Sequence, residues 1–183
     1  MVLLQSTMLE TGSPASPFTL PDTRNAQTVS LSMFEGQPVL IAFICNHCPY
    51  VVHLLDAFTQ VAHDAADKGV TTIAISANDA TQYPADSPEK MGQLALDKGF
   101  EFPYCHDESQ DVARAYSAVC TPDIYLFDAQ HKLYYRGQFD DSRPGQGQAT
   151  GNDLIRAVAG LLNHQPPPQN VQPSVGCSIK WCR

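Results

Sequence analysis

The residues best suited to chemistry stand together in one stretch, Phe43-Ile44-Cys45-Asn46-His47-Cys48-Pro49-Tyr50-Val51. Two thiols separated by two residues can grip a metal, sit inert in a core, or trade electrons as a dithiol and a disulfide. An ordinary thiol, with a pKa of about 8.5, is a slow nucleophile at neutral pH. A helix N-terminus or a nearby cation lowers it to roughly 3.5–7.5. Here a continuously apolar run ends at Ile44 and a helical pattern begins a few residues later. Unpaired N–H groups at such a junction face the sulfurs. His47, when protonated, adds charge between them. Pro49 suits the first turn of a helix, where its missing N–H costs nothing. Cys45 is expected at the exposed end as the attacking thiol, and Cys48 deeper as the resolving one. A C-x-x-C at a strand-to-helix junction inside a βαβ pattern points to thiol–disulfide exchange. Two other readings stay open on these residues: a pair of buried structural cysteines, and a zinc knuckle made by Cys45, Cys48, Cys177 and Cys182.

Cys120-Thr121-Pro122 is the second feature, placed directly before an apolar strand. A cis peptide there would turn backbone N–H and C=O toward a docking partner, with Thr121 and Pro122 facing the thiols and Cys120 as a third thiol nearby. The plain alternative is a strand-entry proline. Cys177 follows a proline-rich linker. It either reaches back to resolve a sulfenate or a mixed disulfide, or packs with Ile179 and Trp181 as anchors. Cys105 reads as a small buried hydrophobe, and Cys182 as an exposed thiol. Asn46, Tyr50, Thr121 and Arg143, the last in the charged loop 138–144, are candidates for a rim that selects the partner. Asn78 and Asp79 end the second buried strand, at the sheet edge where α/β sites cluster.

The elements that must position these groups alternate along the chain. Residues 28–31 predict a short strand. Residues 38–44 (PVLIAFI) predict a strand buried on both faces. Over 51–68, Val51, Val52, Leu54, Leu55, Phe58 and Val61 recur at helical spacing, with Gly69 as the stop. Residues 70–77 read as a second buried strand, 87–98 as a helix, 100–104 as a short extended piece and 110–116 as a short helix. Residues 123–127 and 131–137 form a hairpin across the turn 128–130. A last helix spans 153–162, with Thr150 or Asn152 as its N-cap. The order β-α-β-α-β-hairpin-α implies a mixed sheet with helices on both faces. Residues 1–164 read as the domain. Residues 165–183, with Pro166-Pro167-Pro168, read as a proline-rich linker and a C-terminal tail ending in a short element.

Composition narrows the partners. A chain of 183 residues suits one domain with a real core. A net charge of -8 repels phosphate backbones and acidic headgroups, so neither nucleic acid nor a membrane surface is expected as a partner. No stretch approaches the roughly 20 apolar residues of a membrane span. The first residues lack the basic region of a secretory signal, so a cytoplasmic setting is expected. There, six cysteines read as redox or metal chemistry in preference to a disulfide framework. Neither a Gly-rich dinucleotide fingerprint nor a phosphate-binding loop is present. No cofactor and no metal are expected, and electrons would come from a thiol/disulfide redox protein or a small thiol.

A set of motifs carries a resemblance over nearly the whole chain: Asn46-His47-Cys48-Pro49-Tyr50, Asn78-Asp79, Tyr83-Pro84, Phe102-Pro103-Tyr104, Cys120-Thr121-Pro122-Asp123, the run from Tyr135 to Pro144, and the run from Pro173 to Trp181. The sequence resembles the thioredoxin-fold redoxins. It is most similar to the group related to alkyl hydroperoxide reductase C and thiol-specific antioxidant proteins, in a peroxiredoxin-like branch with a CNHCPY motif. The resemblance implies an α/β, thioredoxin-like fold: a mixed central sheet flanked by helices, with an N-terminal extension and a C-terminal tail. It also implies an antioxidant oxidoreductase with a redox-active centre. Peroxiredoxins carry P-x-x-x-T-x-x-C, in which the Thr and an Arg help hold peroxide. Counted back from Cys48, the Thr position is Cys45 and the Pro position is Ile41, and the place of the Arg falls on Pro122. The site is therefore more similar to a disulfide oxidoreductase, with Cys45 attacking a protein disulfide, Cys48 closing the ring, and Pro122 presenting backbone to the substrate. A thiol peroxidase acting on hydrogen peroxide or alkyl hydroperoxides is the alternative, and a zinc-stabilised binding module the outside one. His47 before the second Cys resembles the strongly oxidising members of the fold. Thioredoxins keep a buried acid beneath the pair. Residues 38–44 contain none, which leaves the proton acceptor unassigned. A homodimer is left open.

Overall fold

The computed structural model describes residues 2–182. Its elements in chain order are β1 (Leu3–Gln5), β2 (Thr19–Pro21), β3 (Thr28–Ser30), β4 (Val39–Phe43), α1 (Pro49–Ala66), β5 (Thr71–Ser76), α2 (Pro88–Asp97), β6 (Tyr104–His106), α3 (Asp111–Ala115), β7 (Cys120–Thr121), β8 (Asp123–Phe127), β9 (Leu133–Arg136), α4 (Asn152–Leu162) and β10 (Val175–Ser178). The central sheet has the order β6-β5-β4-β8-β9. Strands β4, β5 and β6 run parallel, and β8 and β9 join antiparallel, which is the expected mixed sheet.

β4 sits in the middle, and all five of its residues are buried. Leu40 and Ala42 enter a core with Leu54 and Phe58 of α1, while Val39, Ile41 and Phe43 enter another with Ile73 and Tyr125. A strand covered on both faces has no solvent side, which is why its sequence is continuously apolar. Each fully buried large side chain here contributes about 1.5–3 kcal/mol. Helix α1 buries the stripe Val51, Leu54, Leu55, Phe58, Val61, Ala62 and Ala65, and this stripe holds its N-terminus against the end of β4.

Several local expectations need correction. The extended piece at 100–104 becomes strand only from Tyr104, because Phe100 and Phe102 stack on each other, 4.5 Å between ring centres, in the core under α1. The short strand at 28–31 stops at Ser30, where a 3-10 turn over Leu31–Phe34 begins. The N-cap of α4 is Gly151, in the left-handed region at φ 71°, and neither Thr150 nor Asn152. The Asp140 carboxylate takes over the capping work. It accepts hydrogen bonds from the backbone N–H groups of Thr150, at 2.6 Å, and Gly151, at 2.8 Å.

A second, three-stranded antiparallel sheet has the order β1-β10-β7. The short element after the proline-rich linker is β10. It lies between the two others, with Cys177 opposite Leu3 on one side and Thr121 on the other.

Candidate active site

The thiol pair fills the junction between β4 and α1. The Ile44 N–H still bonds Ile75 O at 2.9 Å, as the last rung of the sheet. The chain then turns, Cys48 becomes the N-cap of α1, and Pro49 takes the first helical position, as its fixed φ favours. Both cysteines are buried, Cys45 at 1% exposure and Cys48 at 0%. The expected exposed position of Cys45 is therefore wrong. The cover is tertiary, for the β7 and β10 segments pack onto the junction.

Their contacts are close. Cys45 Sγ lies 3.3 Å from Thr121 Oγ1, and Cys48 Sγ lies 3.2 Å from Thr121 O. The Thr121–Pro122 peptide is cis. Cys48 Sγ stands 2.8 Å from Cys177 Sγ. Three thiols therefore meet. Cys120 is buried nearby, with Sγ 3.8 Å from Pro122 O, and it feels the Cys48 charge. Burial and the Asp123 charge push its thiol up to about 12.

The negative charge of this cluster belongs on Cys48. The Cys45 thiol donates to it. Against the cost of burial, the Cys177 thiol and the Val51 N–H in the first turn of α1 help to hold Cys48 down to about 5. Giving that hydrogen bond pushes Cys45 far above the usual thiol range, and burial and the Asp86 charge push the same way. Burial and the bond to Cys48 push Cys177 up to about 12. The thiolate thus sits one turn nearer the helix than the sequence suggests, because three donors converge there.

Asp86 is the residue the sequence reading missed. It is fully buried, and it ends a 3-10 turn just before α2. One of its oxygens accepts from the Asn46 N–H at 2.8 Å, and the other from Asn78 Nδ2 at 2.7 Å. His47 Nδ1 lies 2.6 Å from the second oxygen, and the ring stacks on Tyr83 with 5.4 Å between centres. It is a buried acid beside the pair, supplied from outside residues 38–44. It arrives from a loop between two prolines, Pro84 and Pro88, with no local signal beyond that punctuation.

Asn46 fastens the junction to the same loop, through Nδ2 to Ala85 O at 2.9 Å, and accepts from Tyr104 OH at 3.0 Å. Tyr50, Pro122 and Arg143 line one narrow crevice of about 20 Å³ with Ser174 and Val175. Arg143 is committed to its own loop, donating to Asp140 O at 3.0 Å and Gln138 Oε1 at 2.8 Å. A larger cleft of about 670 Å³ lies elsewhere, between the start of α4 and the proline-rich segment.

Cys45 Sγ, His47 Nδ1 and an Asp86 carboxylate oxygen lie within 4.8 Å of one another, so these S, N and O donors could hold a metal. The four-cysteine knuckle is a different set. Its fourth member, Cys182, is exposed, with its N–H bonded to Gln110 Oε1 at 2.8 Å. No described helix is long and apolar enough to cross a membrane.

Comparison with known proteins gives the family and the fold. The AhpC/TSA family model matches residues 11–136. An uncharacterized conserved protein from Geobacillus kaustophilus has a crystal structure that superposes with a TM-score of 0.96 at 46% identity, covering 100% of this chain and 97% of the other. A "Putative peroxiredoxin" of Mycobacterium tuberculosis is 27% identical over 124 residues, which is 67% of this chain and 73% of that protein. The thioredoxin domain of a thiol-disulfide oxidoreductase from Bacteroides vulgatus superposes with a TM-score of 0.64 at 23% identity, covering 82% of this chain and 99% of that one, a likeness of fold alone. The fold is thioredoxin-like, and oxidoreductase chemistry on thiol or disulfide partners is what such redoxins share. With the family model reaching from before β2 to the end of β9, the chain belongs to the AhpC/TSA family.

Proposed function

We propose that the protein is a thiol–disulfide oxidoreductase whose working pair is Cys45 and Cys48, with Cys48 as the nucleophile. The observation that carries this reading is the convergence of the Cys45 and Cys177 thiols on Cys48, which is held down to about 5. At neutral pH such a thiol is already a thiolate. It attacks one sulfur of a disulfide R–S–S–R′, the S–S bond breaks, and R′S⁻ leaves. In the mixed disulfide Cys48 carries no charge, so the main cause that raised Cys45 disappears. Cys45 then loses its proton, with the His47–Asp86 pair beside it as acceptor. It attacks Cys48 Sγ and expels RS⁻ as the Cys45–Cys48 ring closes. Two electrons have passed to the substrate, and a thiol redox protein or a small thiol returns them.

A peroxidase is the second reading, favoured by the family and by the relative described as a peroxiredoxin. Here the Cys48 thiolate attacks the O–O bond, an alcohol or water leaves, and the sulfenic acid condenses with a neighbouring thiol, releasing water. One experiment separates the two. Fully reduced protein is mixed with one equivalent of hydrogen peroxide and thiol loss is followed by stopped flow, in parallel with equilibration in a glutathione redox buffer. Slow loss with peroxide and a reversible Cys45–Cys48 bridge in glutathione support the exchange reading. Fast loss through a sulfenate replaces it with the peroxidase.

A further inference from the structure

The edge of β7 that faces the working thiols is already occupied. β10 lies antiparallel along it, with Cys177 opposite Thr121 and Ser178 opposite Cys120. Thr121 is also the residue whose two oxygens touch Cys45 and Cys48. The occupant thus presents a cysteine, and its sulfur stands 2.8 Å from Cys48 Sγ. Gly176 permits the approach, since a Cβ there would overlap the Thr121 carbonyl and lie 3.0 Å from Pro122 Cδ.

Beyond the strand the chain is tied down by specific contacts. The Lys180 N–H donates to Asn78 Oδ1 at 2.8 Å, and Lys180 O accepts from the Asp79 N–H at 2.8 Å. Ile179 is buried, and the Arg114 guanidinium lies 4.5 Å from the centre of the Trp181 ring. Before the strand, residues 163–171 carry neither helix nor strand, and Gln172 and Ser174 are held by the Gln138 N–H, the Ser6 N–H and Gly137 O, so β10 leaves on this tether once those contacts open as well. A strand that adds to a sheet edge through main-chain bonds can be replaced by another extended chain.

We propose that β10 is a built-in partner of the dithiol: Cys48 exchanges disulfides with Cys177, and an extended, cysteine-bearing polypeptide takes the same edge of β7 when β10 departs. This rests on the thiol-exchange reading above. With a low-molecular-weight disulfide as oxidant, Cys48 forms Cys48–S–S–R and RS⁻ leaves, taking up the Cys177 proton. The Cys177 thiolate attacks Cys48 Sγ, the Cys48–S–R bond breaks, and a second RS⁻ leaves. The Cys48–Cys177 bond then latches β10 over the site. Opening needs no further oxidant. Cys45 gives up its proton and attacks Cys48 Sγ, the Cys48–Cys177 bond breaks, and the Cys177 thiolate is protonated as the Cys45–Cys48 ring closes. β10 is now held by noncovalent contacts alone, and the edge is open to a polypeptide thiol that can receive the disulfide.

The test maps bridges in the full chain after oxidation with glutathione disulfide and an acid quench. After alkylation and trypsin, Cys45 and Cys48 share the peptide 25–68, and Cys177 lies on 157–180. A Cys45–Cys48 ring only removes two hydrogens from the first peptide, whereas a Cys48–Cys177 bond joins the two. Cys45→Ser is expected to trap the joined form, with Cys45→Ala as a second variant should serine disturb the fold. Trp181 is the single tryptophan and reports on the tail. Its emission should be red-shifted in the ring form relative to the latched form. Cleavage after Lys180 in the intact protein should be about tenfold faster in the ring form, since proteolysis follows local opening. If wild type forms the Cys45–Cys48 ring but neither variant joins the two peptides, or if emission and cleavage are the same in both forms, the latch is refuted and the exchange reading stands. If glutathione disulfide produces no bridge at all in wild type, both fall together.

Discussion

Cys48 Sγ and Cys177 Sγ are 2.8 Å apart, although 129 positions separate them along the chain. Neither belongs to the same strand or helix as the other. They meet because α1 starts where β4 ends, and β10 is inserted between β1 and β7 above that point. The contact changes what the dithiol is. A pair with one thiol exposed and one buried becomes a buried trio with its charge on the middle member.

That charge can be titrated. Thiolate ultraviolet absorbance of the reduced protein should show a midpoint near 5. Cys48→Ala should abolish it, and Cys45→Ala should move it upward, because the Cys45 hydrogen bond is the largest cause of the shift. Loss of the midpoint in Cys45→Ala alone would assign the thiolate to Cys45. The same shift has a sign in stability. Cys48 is depressed in the fold below its unfolded value of about 8.5. Its contribution is complete above that value and is lost as pH falls toward 5. Cys45 and Cys177 are raised, so they act oppositely, and stability of the reduced protein should turn down above about 8.5. Urea unfolding of reduced protein across this range checks both limbs.

His47 and Asp86 should affect redox poise and stability differently. His47→Ala removes the imidazole 2.6 Å from the buried Asp86 carboxylate, so the carboxylate's charge, which already opposes ionisation of Cys45, acts on the cluster without that partner and the reduction potential falls. A drop of about 30 mV corresponds to a tenfold change in the exchange constant. Equilibration against glutathione measures it, and an unchanged potential removes His47 from the mechanism. Asp86→Asn leaves groups around Asn46 and Asn78 poorly matched in a buried site, and should cost about 1–3 kcal/mol in urea unfolding.

Gly176→Ala should force β10 away from β7, because the new methyl meets backbone on Thr121 and cannot be accommodated by a side-chain rotation. Cys48 should then alkylate faster at neutral pH while the far-ultraviolet circular dichroism stays close to wild type. Equal alkylation rates would mean that β10 does not limit access to Cys48.

Asp123 and Arg136 form a buried pair, 3.0 Å apart on neighbouring strands β8 and β9, and the guanidinium lies over Tyr125 at 4.5 Å. Asp123→Ala leaves the arginine charged and unpaired, and should cost about 3–5 kcal/mol. A loss below about 1 kcal/mol in urea unfolding would show that the pair is replaced by water.

Much of the frame is legible in the residues themselves. PVLIAFI can only be comfortable as a strand covered on both faces, and the stripe from Val51 to Val61 only as a helix packed on it. Once those two are placed, Cys45 and Cys48 must occupy the junction, with Pro49 opening the helix. The hairpin of β8 and β9 follows from its turn. These features depend on periodicity and on residues within a few positions of one another, so the chain states them locally.

The division of roles among the thiols is different. Exposure, charge and proton exchange at Cys45 and Cys48 depend on Thr121, Asp86 and Cys177, each delivered by a separate loop or strand. β7 has two residues and β10 follows a proline-rich stretch, too short and too irregular for any pattern to announce their pairing. The Cys-x-x-Cys motif and its junction were determined by the sequence alone. Which sulfur holds the charge, and what lies upon it, was decided only by tertiary structure, because a thiol's ionisation is set by donors and burial that come from distant parts of the chain.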